Sequence, residues 1–371
     1  MYIKDVMACL EELSPLAYAE DFDNTGLLVG NRDNKLTGVL VTHDTLEEVV
    51  DEAIEKDCNL IVSFHPIIFS GLKKLNGSSY VERTVIKAIR HGIAIYAVHT
   101  ALDNNFNGVN AALCDALGLQ NRKILIPQKG TVKKLLVFVP NKDADHLREA
   151  LFAAGAGTIG NYSNCSFNLE GTGTFRGEEN SNPVIGERGI TRHEPETQIG
   201  VTYPRHLESR ILKTMFTNHP YEEVAYEVTT LENRNQHIGI GMTGELTVPL
   251  QDIDFLKQLK QKMKLECIRY SGLLNRKIKK VAVLGGSGAF AISHAKNAGA
   301  DVFITGDIKY HEFYKAEKQM IIADIGHYES EQYTKNLLFE HLTKKIHNFA
   351  PALPGGKVVL SEYNTNSIKY L

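Results

Sequence analysis

Apolar residues recur along this chain in two rhythms. Ile3, Val6, Met7, Leu10 and Leu13 fall on one helical face, which Ser14-Pro15 closes. After an acidic, Asn- and Gly-containing loop and a short strand at Leu27–Val29, brief apolar runs alternate with helix-period stretches. Val39–Val41 leads to Leu46–Lys56, Leu60–Val62 to Val81–Arg90, and Ile93–Val98 to Asn110–Leu117, which Gly118 closes. Strands alternating with helices of this length predict a parallel or mixed α/β sheet.

The rhythm then changes. Lys134–Val139 reads as a strand and Asp143–Ala153 as a helix. A long stretch from Gly155 to about Glu196, rich in Gly, Asn, Ser and Glu, reads as loop. Thr197–Thr202 (strand), His206–Phe216 (helix) and Tyr221–Val228 (strand) complete a β-α-β…β-α-β order, the pattern of a ferredoxin-like α+β unit. Past Asn233–Gln236 the first rhythm returns with strands at Ile240–Val248, Val281–Leu284, Val302–Ile304 and Ile321–Asp324. Helices are expected between them at Ile253–Met263, Phe290–Ala298 and Phe313–Lys318, and a long one from about His327 to His347. The economical reading is one α/β domain of two similar halves, 1–129 and 237–371, interrupted by a compact α+β insert at 130–236.

Composition narrows the class. In 371 residues the net charge is −3 with both signs mixed, so there is no basic footprint for nucleic acid. Five scattered cysteines without a C-x-x-C fit reduced thiols rather than a disulfide framework. The acidic amphipathic start is unlike a signal peptide, and no apolar run approaches the roughly 20 residues needed to span a bilayer. The expectation is a cytoplasmic protein.

The polar residues collect just past the ends of the expected strands: His43/Asp44, His65, His99/Asp103, Ser287, Asp307/His311 and His327/Glu331. Each has an ordinary explanation alone. His43 fits a turn, His65-Pro66 a corner, Asp103 a helix N-cap, and His327 with Glu331 an exposed pair one helical turn apart. In an open α/β sheet, however, ligands bind in the crevice outside the strand carboxyl ends. So many chemically active residues at one edge, drawn from both halves, mark a metal or catalytic crevice. His65, Asp103, His327 and Glu331 are the best candidate ligands. Two imidazoles and two carboxylates without thiolate suit Zn, Mn, Fe or Ni and do not choose among them. His99 either supports a ligand or shuttles protons. Gly285-Gly-Ser-Gly288 follows a strand and opens a helix, as phosphate loops do, yet lacks P-loop and dinucleotide spacing. It reads as close backbone approach to the crevice, to an anionic ligand, or as a plain turn. Asp23 and Asn24 can orient a ligand or simply form a turn.

These residues, in this order, resemble the Nif-three-like family, the GTP cyclohydrolase one type two homologues. The motifs are EDFDNTGLLVG from Glu20, SFHPIIFSGLK from Ser63, HTALDNNFNGVN from His99, GGSG from Gly285, TGDIKYHE from Thr305 and IGHYESE from Ile325. NPVIGERG from Asn182 and HPYEEVAYEV from His219 are similar to that family's long form, which carries a PII/CutA-like insert. The resemblance implies two similar α/β halves, a dinuclear divalent-metal site between them with His65, Asp103, His327 and Glu331 as ligands, and a homohexamer. It also implies hydrolysis of a nucleotide or similar heterocycle, with His99 or His311 moving protons. One position departs: Phe64 stands where the family often has a first histidine, so one of the two metals loses a ligand. That leaves one metal on His65 and Asp103 and the other with only His327 and a share of Glu331, so about one metal should be tightly held. Phe22, where the family often has Trp, changes bulk only. The departure at Phe64 also keeps open a non-enzymatic metal-binding or regulatory role exerted through the insert.

Overall fold

A computed structural model describes residues 1–233, 235–349 and 357–371; residue 234, in the expected linker, lies outside them. The chain divides into two compact units, Met1–Pro127 with Gln236–Leu371, and Gln128–Asn235.

The first unit is a mixed α/β structure with two sheets. One has five strands in the order Gly26–Val29, Ala94–Ala97, Leu60–Ser63, Gly38–Thr42, Lys357–Leu360, parallel except for the first. Its three central strands are buried along their whole length, as expected where both faces of a parallel sheet are covered. Val39, Val41, Leu60 and Val62 pack with Ile3, Val6 and Leu10 of helix Ile3–Leu13 and with Leu338 and Leu342. Leu40, Ile61 and Ile95 face the other way, against Val49 and Val50 of helix Glu47–Glu55 and Val85 and Ala88 of helix Tyr80–Arg90. The second sheet has six strands in the order Arg269–Tyr270, Ile321–Asp324, Val302–Gly306, Lys277–Ser287, Gly239–Gln251, Gln120–Pro127. Only the pairings of Val302–Gly306 with its two neighbours are parallel.

Three features differ from the sequence reading. Each sheet borrows an edge strand from the other end of the chain: Lys357–Leu360 joins the first sheet, and Gln120–Pro127 joins the second. Neither was expected, because edge strands are half exposed and carry no long apolar run. The long helix expected from His327 is two, His327–Glu331 and Thr334–Phe349. The helix expected at Phe313–Lys318 is a tighter 3-10 segment, Tyr310–Ala316.

The second unit runs β-α-β-β-α-β: Val132–Pro140, Ala144–Ala153, Phe167–Arg176, Thr191–Pro204, Glu208–Asn218 and Tyr226–Leu231. Its strands form one antiparallel sheet with Thr191–Pro204 and Val132–Pro140 in the centre. Leu135, Val137, Val139, Ile199, Val201 and Tyr203 form one face, packed against Leu147, Leu151, Ile211 and Met215 of the helices. Strand Phe167–Arg176 lies inside the stretch read as loop. Gly171 and Gly173 erase its strand propensity, and its mostly exposed side chains give no alternation to read; a ten-residue ladder to Thr191–Pro204 holds it.

Candidate metal centre

The ends of the parallel strands of the first unit deliver the candidate residues. His43 and Asp44 follow Gly38–Thr42, and His65 follows Leu60–Ser63. His99 opens the short helix His99–Asp103 after Ala94–Ala97. Asp307 follows Val302–Gly306, and helix His327–Glu331 follows Ile321–Asp324. Two histidines from different sheets meet there.

The local hydrogen bonds fix how they meet. His65 Nδ1 is 2.7 Å from Asp44 Oδ1, His327 Nδ1 is 2.7 Å from Asp307 Oδ2, and His99 Nδ1 is 2.7 Å from Asp23 Oδ1. An ionised carboxylate only accepts, so each Nδ1 donates and a neutral ring is left with its lone pair on Nε2. The Nε2 atoms of His65 and His327 then face each other across 3.4 Å. Both lie against one oxygen, Glu331 Oε2, at 3.3 and 3.4 Å, and His43 Nε2 approaches the same oxygen at 3.3 Å. Facing lone pairs repel unless a cation, proton or metal, lies between them. His43 Nε2, Glu331 Oε2 and Asp103 Oδ1 are buried and, among the described residues, lack a hydrogen-bond partner. Buried polar atoms are seldom left so, and a partner other than protein, such as an ion, is a standard reason. Nitrogen and carboxylate donors within 4.8 Å of one another in two overlapping groups, His65/His327/Glu331 and His43/Asp44/His65, fit a divalent cation.

Charge in the site follows from burial and neighbours. Burial opposes a charge on His65, but Asp44 and Glu331 outweigh it and push the imidazole up to about 10. His327 is pushed up to about 9 against its burial, by Glu331 and then Asp307. Burial also opposes ionisation of Glu331, yet His327, His43 and His65 hold it well below the usual carboxylate range. Asp103 goes the other way, raised well above that range by burial and by the charge of Glu331.

The surrounding residues clamp these groups. Asp44 also accepts from Thr365 Oγ1 at 2.5 Å, so the C-terminal tail helps to hold it. Asp23 accepts from the Thr100 amide and hydroxyl at 3.1 and 2.5 Å besides His99, so it orients the site rather than merely forming a turn. His99 has φ +30°, a strained conformation of the kind that collects at functional sites. Gly286, at φ +70°, allows the strand end to press on Glu331: a Cβ there would lie 2.4 Å from Oε1. The amides of Gly285 and Gly286 bind Asn110 Oδ1 and Ser330 Oγ at 3.0 and 2.8 Å, so these donors serve the protein rather than an anion. Of the GGSG readings, close backbone approach is the one the geometry matches.

Not every candidate arrives. The structure groups His65 with His327 and Glu331, whereas Asp103 is buried beside them and outside that group. His311 is exposed and packs edge-on against Tyr310 at 5.1 Å, and among the described residues it belongs to neither donor group. Phe64 is fully buried, its ring centroid 4.8 Å from His65 and 5.4 Å from His43. The approach of His43 to Glu331 and the three His–Asp pairs were missed. Asp44, Asp23 and Asp307 sit in the motifs, but partners 21, 76 and 20 residues apart cannot be matched by spacing.

Comparison with known proteins agrees over the whole chain. The family model Duf34/NIF3 (NGG1p interacting factor 3) matches residues 1–366. The chain is 37% identical over 371 residues to a protein of Bacillus subtilis named GTP cyclohydrolase 1 type 2 homolog, covering 99% of this chain and 98% of the relative. A protein of the same name from Halalkalibacterium halodurans is 40% identical over 343 residues, 92% of each chain. The crystal structure of a Bacillus cereus protein related to NIF3 superposes with a TM-score of 0.86 at 38% identity, covering 100% of this chain and 99% of that one.

Proposed function

Since the chain belongs to the Duf34/NIF3 family, we propose that its first unit is a divalent-metal centre for hydrolysis of a nucleotide or similar heterocycle. The observation that carries this reading is the meeting of His65 and His327 Nε2 on Glu331 Oε2, with both Nδ1 atoms clamped by carboxylates. Carboxylate-backed histidines are the usual support of metal-ligating imidazoles. His65, His327 and Glu331 would hold the cation, Zn, Mn, Fe or Ni, with Asp103 adjoining. When bound, such a cation supplies Lewis acidity for activating water at near-neutral pH. The chain's own residues do the rest. Asp44 and Asp307 fix the ligand tautomers. His99, clamped by Asp23 and with its ring 5.3 Å from that of His65, is placed to move a proton; His311, exposed against Tyr310, is the second candidate for that role. Phe22 and Phe69 are exposed, their ring centroids 6.4 Å apart and their planes tilted by 54°, and the Phe69 ring is 6.2 Å from that of His99. They form an aromatic lip suited to a flat ring. The relatives' name makes GTP the first substrate to try, through water attack on the carbon of its imidazole ring and opening of that ring.

A second reading, a non-enzymatic metal-binding or regulatory protein acting through a PII-like second unit, is favoured by Phe64, which offers no donor at the cluster. Metal analysis of protein purified without chelator or affinity metal, followed by GTP turnover with Mn or Zn, separates the two. Bound metal with turnover abolished by His99→Ala supports the enzyme, bound metal without turnover supports the second reading, and no metal overturns both. We further propose a homohexamer. Family membership supports it, as does the edge of strand Phe167–Arg176, which among the described residues pairs on one side only, a template for pairing with another chain. A stable monomer by light scattering at micromolar concentration rejects it. No helix among the described residues is long and apolar enough to cross a membrane. The free thiols of Cys9, Cys58, Cys114, Cys165 and Cys267 support a cytoplasmic location.

A further inference from the structure

We propose that the second unit binds a small organic cation, an amine carried on an apolar body, in a cavity of about 770 Å³ on the sheet face away from its helices. The proposal is independent of the metal centre. Along strand Val132–Pro140, Val137 and Val139 face the helices, so Phe138 between them faces the cavity. The volume lies within the range of roughly 300–1,000 Å³ typical of small-molecule sites.

The cavity has an apolar wall and an acidic floor. Phe138, Leu169, Phe175, Val184 and Ile185 line it, and the Phe175 ring lies 5.7 Å from that of Tyr221. At the floor sits Glu196, only 8% exposed. The Tyr221 hydroxyl donates to Glu196 Oε1 at 2.9 Å, and Tyr221 is itself held by its backbone N–H, which donates to His219 Nδ1 at 3.1 Å. Gly173, on the neighbouring strand, makes room for the carboxylate: a Cβ there would fall 2.1 Å from Glu196 Oε2. One of the two glycines that hid this strand in the sequence, Gly173, is thus where the carboxylate needs space. Segment 181–185 closes one side, tied down by the Asn182 amide to Glu222 Oε1 at 2.7 Å.

Charge selects the ligand class. Glu170, Glu178, Glu196, Glu222 and Glu223 line the cavity, and Arg176, the single cation among the described lining residues, is paired with Glu178 at 2.9 Å. A buried carboxylate in a cavity whose lining is acidic on balance repels phosphates and carboxylic acids and attracts an ammonium group, while the aromatic and aliphatic wall takes the apolar body.

The test uses the full chain and dansylcadaverine, a primary amine on a flat aromatic body, read by fluorescence titration. One saturable site per chain is expected. Glu196→Gln should weaken it about tenfold or more, the loss of a charge-assisted contact. Leu169→Arg, at an exposed wall position where folding is not at stake, should weaken it similarly by placing a cation at the mouth. N-acetylated dansylcadaverine and the anionic dye anilinonaphthalene sulfonate should bind at least about tenfold more weakly, since neither offers the charge that Glu196 selects. Equal affinity in both variants, preference for the anionic dye, or no binding of the amine because a second copy covers this face would each overturn the proposal.

Discussion

Histidines withdrawn at least partly from water occur in both units, His219 buried in the second and His65 and His327 half-buried in the first, and their surroundings are opposite. In the second unit His219 is fully satisfied by backbone: Nε2 donates to Phe138 O at 2.8 Å, and Nδ1 accepts from the Tyr221 amide at 3.1 Å. Its burial lowers its pKa and keeps it neutral. In the first unit His65 and His327 have carboxylates on Nδ1 and each other's lone pair on Nε2, and both are pushed up. A histidine closed by neutral backbone holds a fold together. A pair closed by carboxylates and aimed at each other is complete only with a cation between them.

The contrast is broken most directly by deletion. His327→Ala with Glu331→Ala should remove nearly all bound metal, read by elemental analysis, while His43→Ala should leave it bound. His219→Ala should leave the metal untouched and cost the second unit about 1–3 kcal/mol in denaturant unfolding, through a buried carbonyl and amide left unpaired. Metal retained by the double variant, or lost with His219→Ala, would erase the distinction.

Stoichiometry sharpens it next. Phe64 places a ring without a donor beside His43 and His65. Unmodified protein should hold about one tight divalent ion per chain, and Phe64→His, whose ring already faces the cluster, should raise this to about two at moderate metal concentration. Two tight ions in the unmodified protein would show that His43, whose Nε2 already lies against Glu331, supplies the missing donor. A smaller effect is expected from the clamps. Asp44→Ala or Asp307→Ala leaves the ligating nitrogens in place but frees their tautomers, and should weaken metal binding about 10–100-fold in chelator competition. No change in either variant would make the carboxylates bystanders.

How much of this was written in the sequence differs between the units for the same reason. Buried parallel strands such as Leu60–Ser63 announce themselves as unbroken apolar runs, and their ends located the crevice. Edge strands do not: Gln120–Pro127, Lys357–Leu360 and Phe167–Arg176 are held by ladders to distant partners, and nothing local marks them. The site shows the same limit. His65, His327 and Glu331 stood out by residue type at strand ends. The clamping carboxylates depend on three-dimensional pairing across as many as 76 residues, and the grouping of His65 with His327 rather than with Asp103 depends on how two sheets meet. Glu196 gave no signal, being one of two glutamates in its strand, with Glu194.

The mildest prediction uses protons. Unfolded histidine titrates near 6.5. His219 is lowered by burial in the folded second unit, so its contribution is present above about pH 6.5 and is lost as pH falls towards its depressed value. His65 and His327 are raised, so in metal-free protein their contribution to the first unit is present below about pH 6.5 and fades as pH rises through about 10 and about 9. The two units should therefore respond to pH with opposite signs: between about pH 5 and 6.5 the second gains stability while the first gains nothing from its pair, and from about pH 6.5 up to about 9 to 10 the metal-free first unit weakens. Metal reverses the second trend. A cation must displace the protons on both imidazoles, so its apparent affinity should rise with pH up to about 9 to 10, and loading at pH 7.5 should release about two protons per chain. Calorimetric titration in two buffers of different ionisation enthalpy reads that number. Release near zero, with affinity flat between pH 6 and 9, would mean that these imidazoles already stand neutral without metal and that the carboxylates beside them do not charge them.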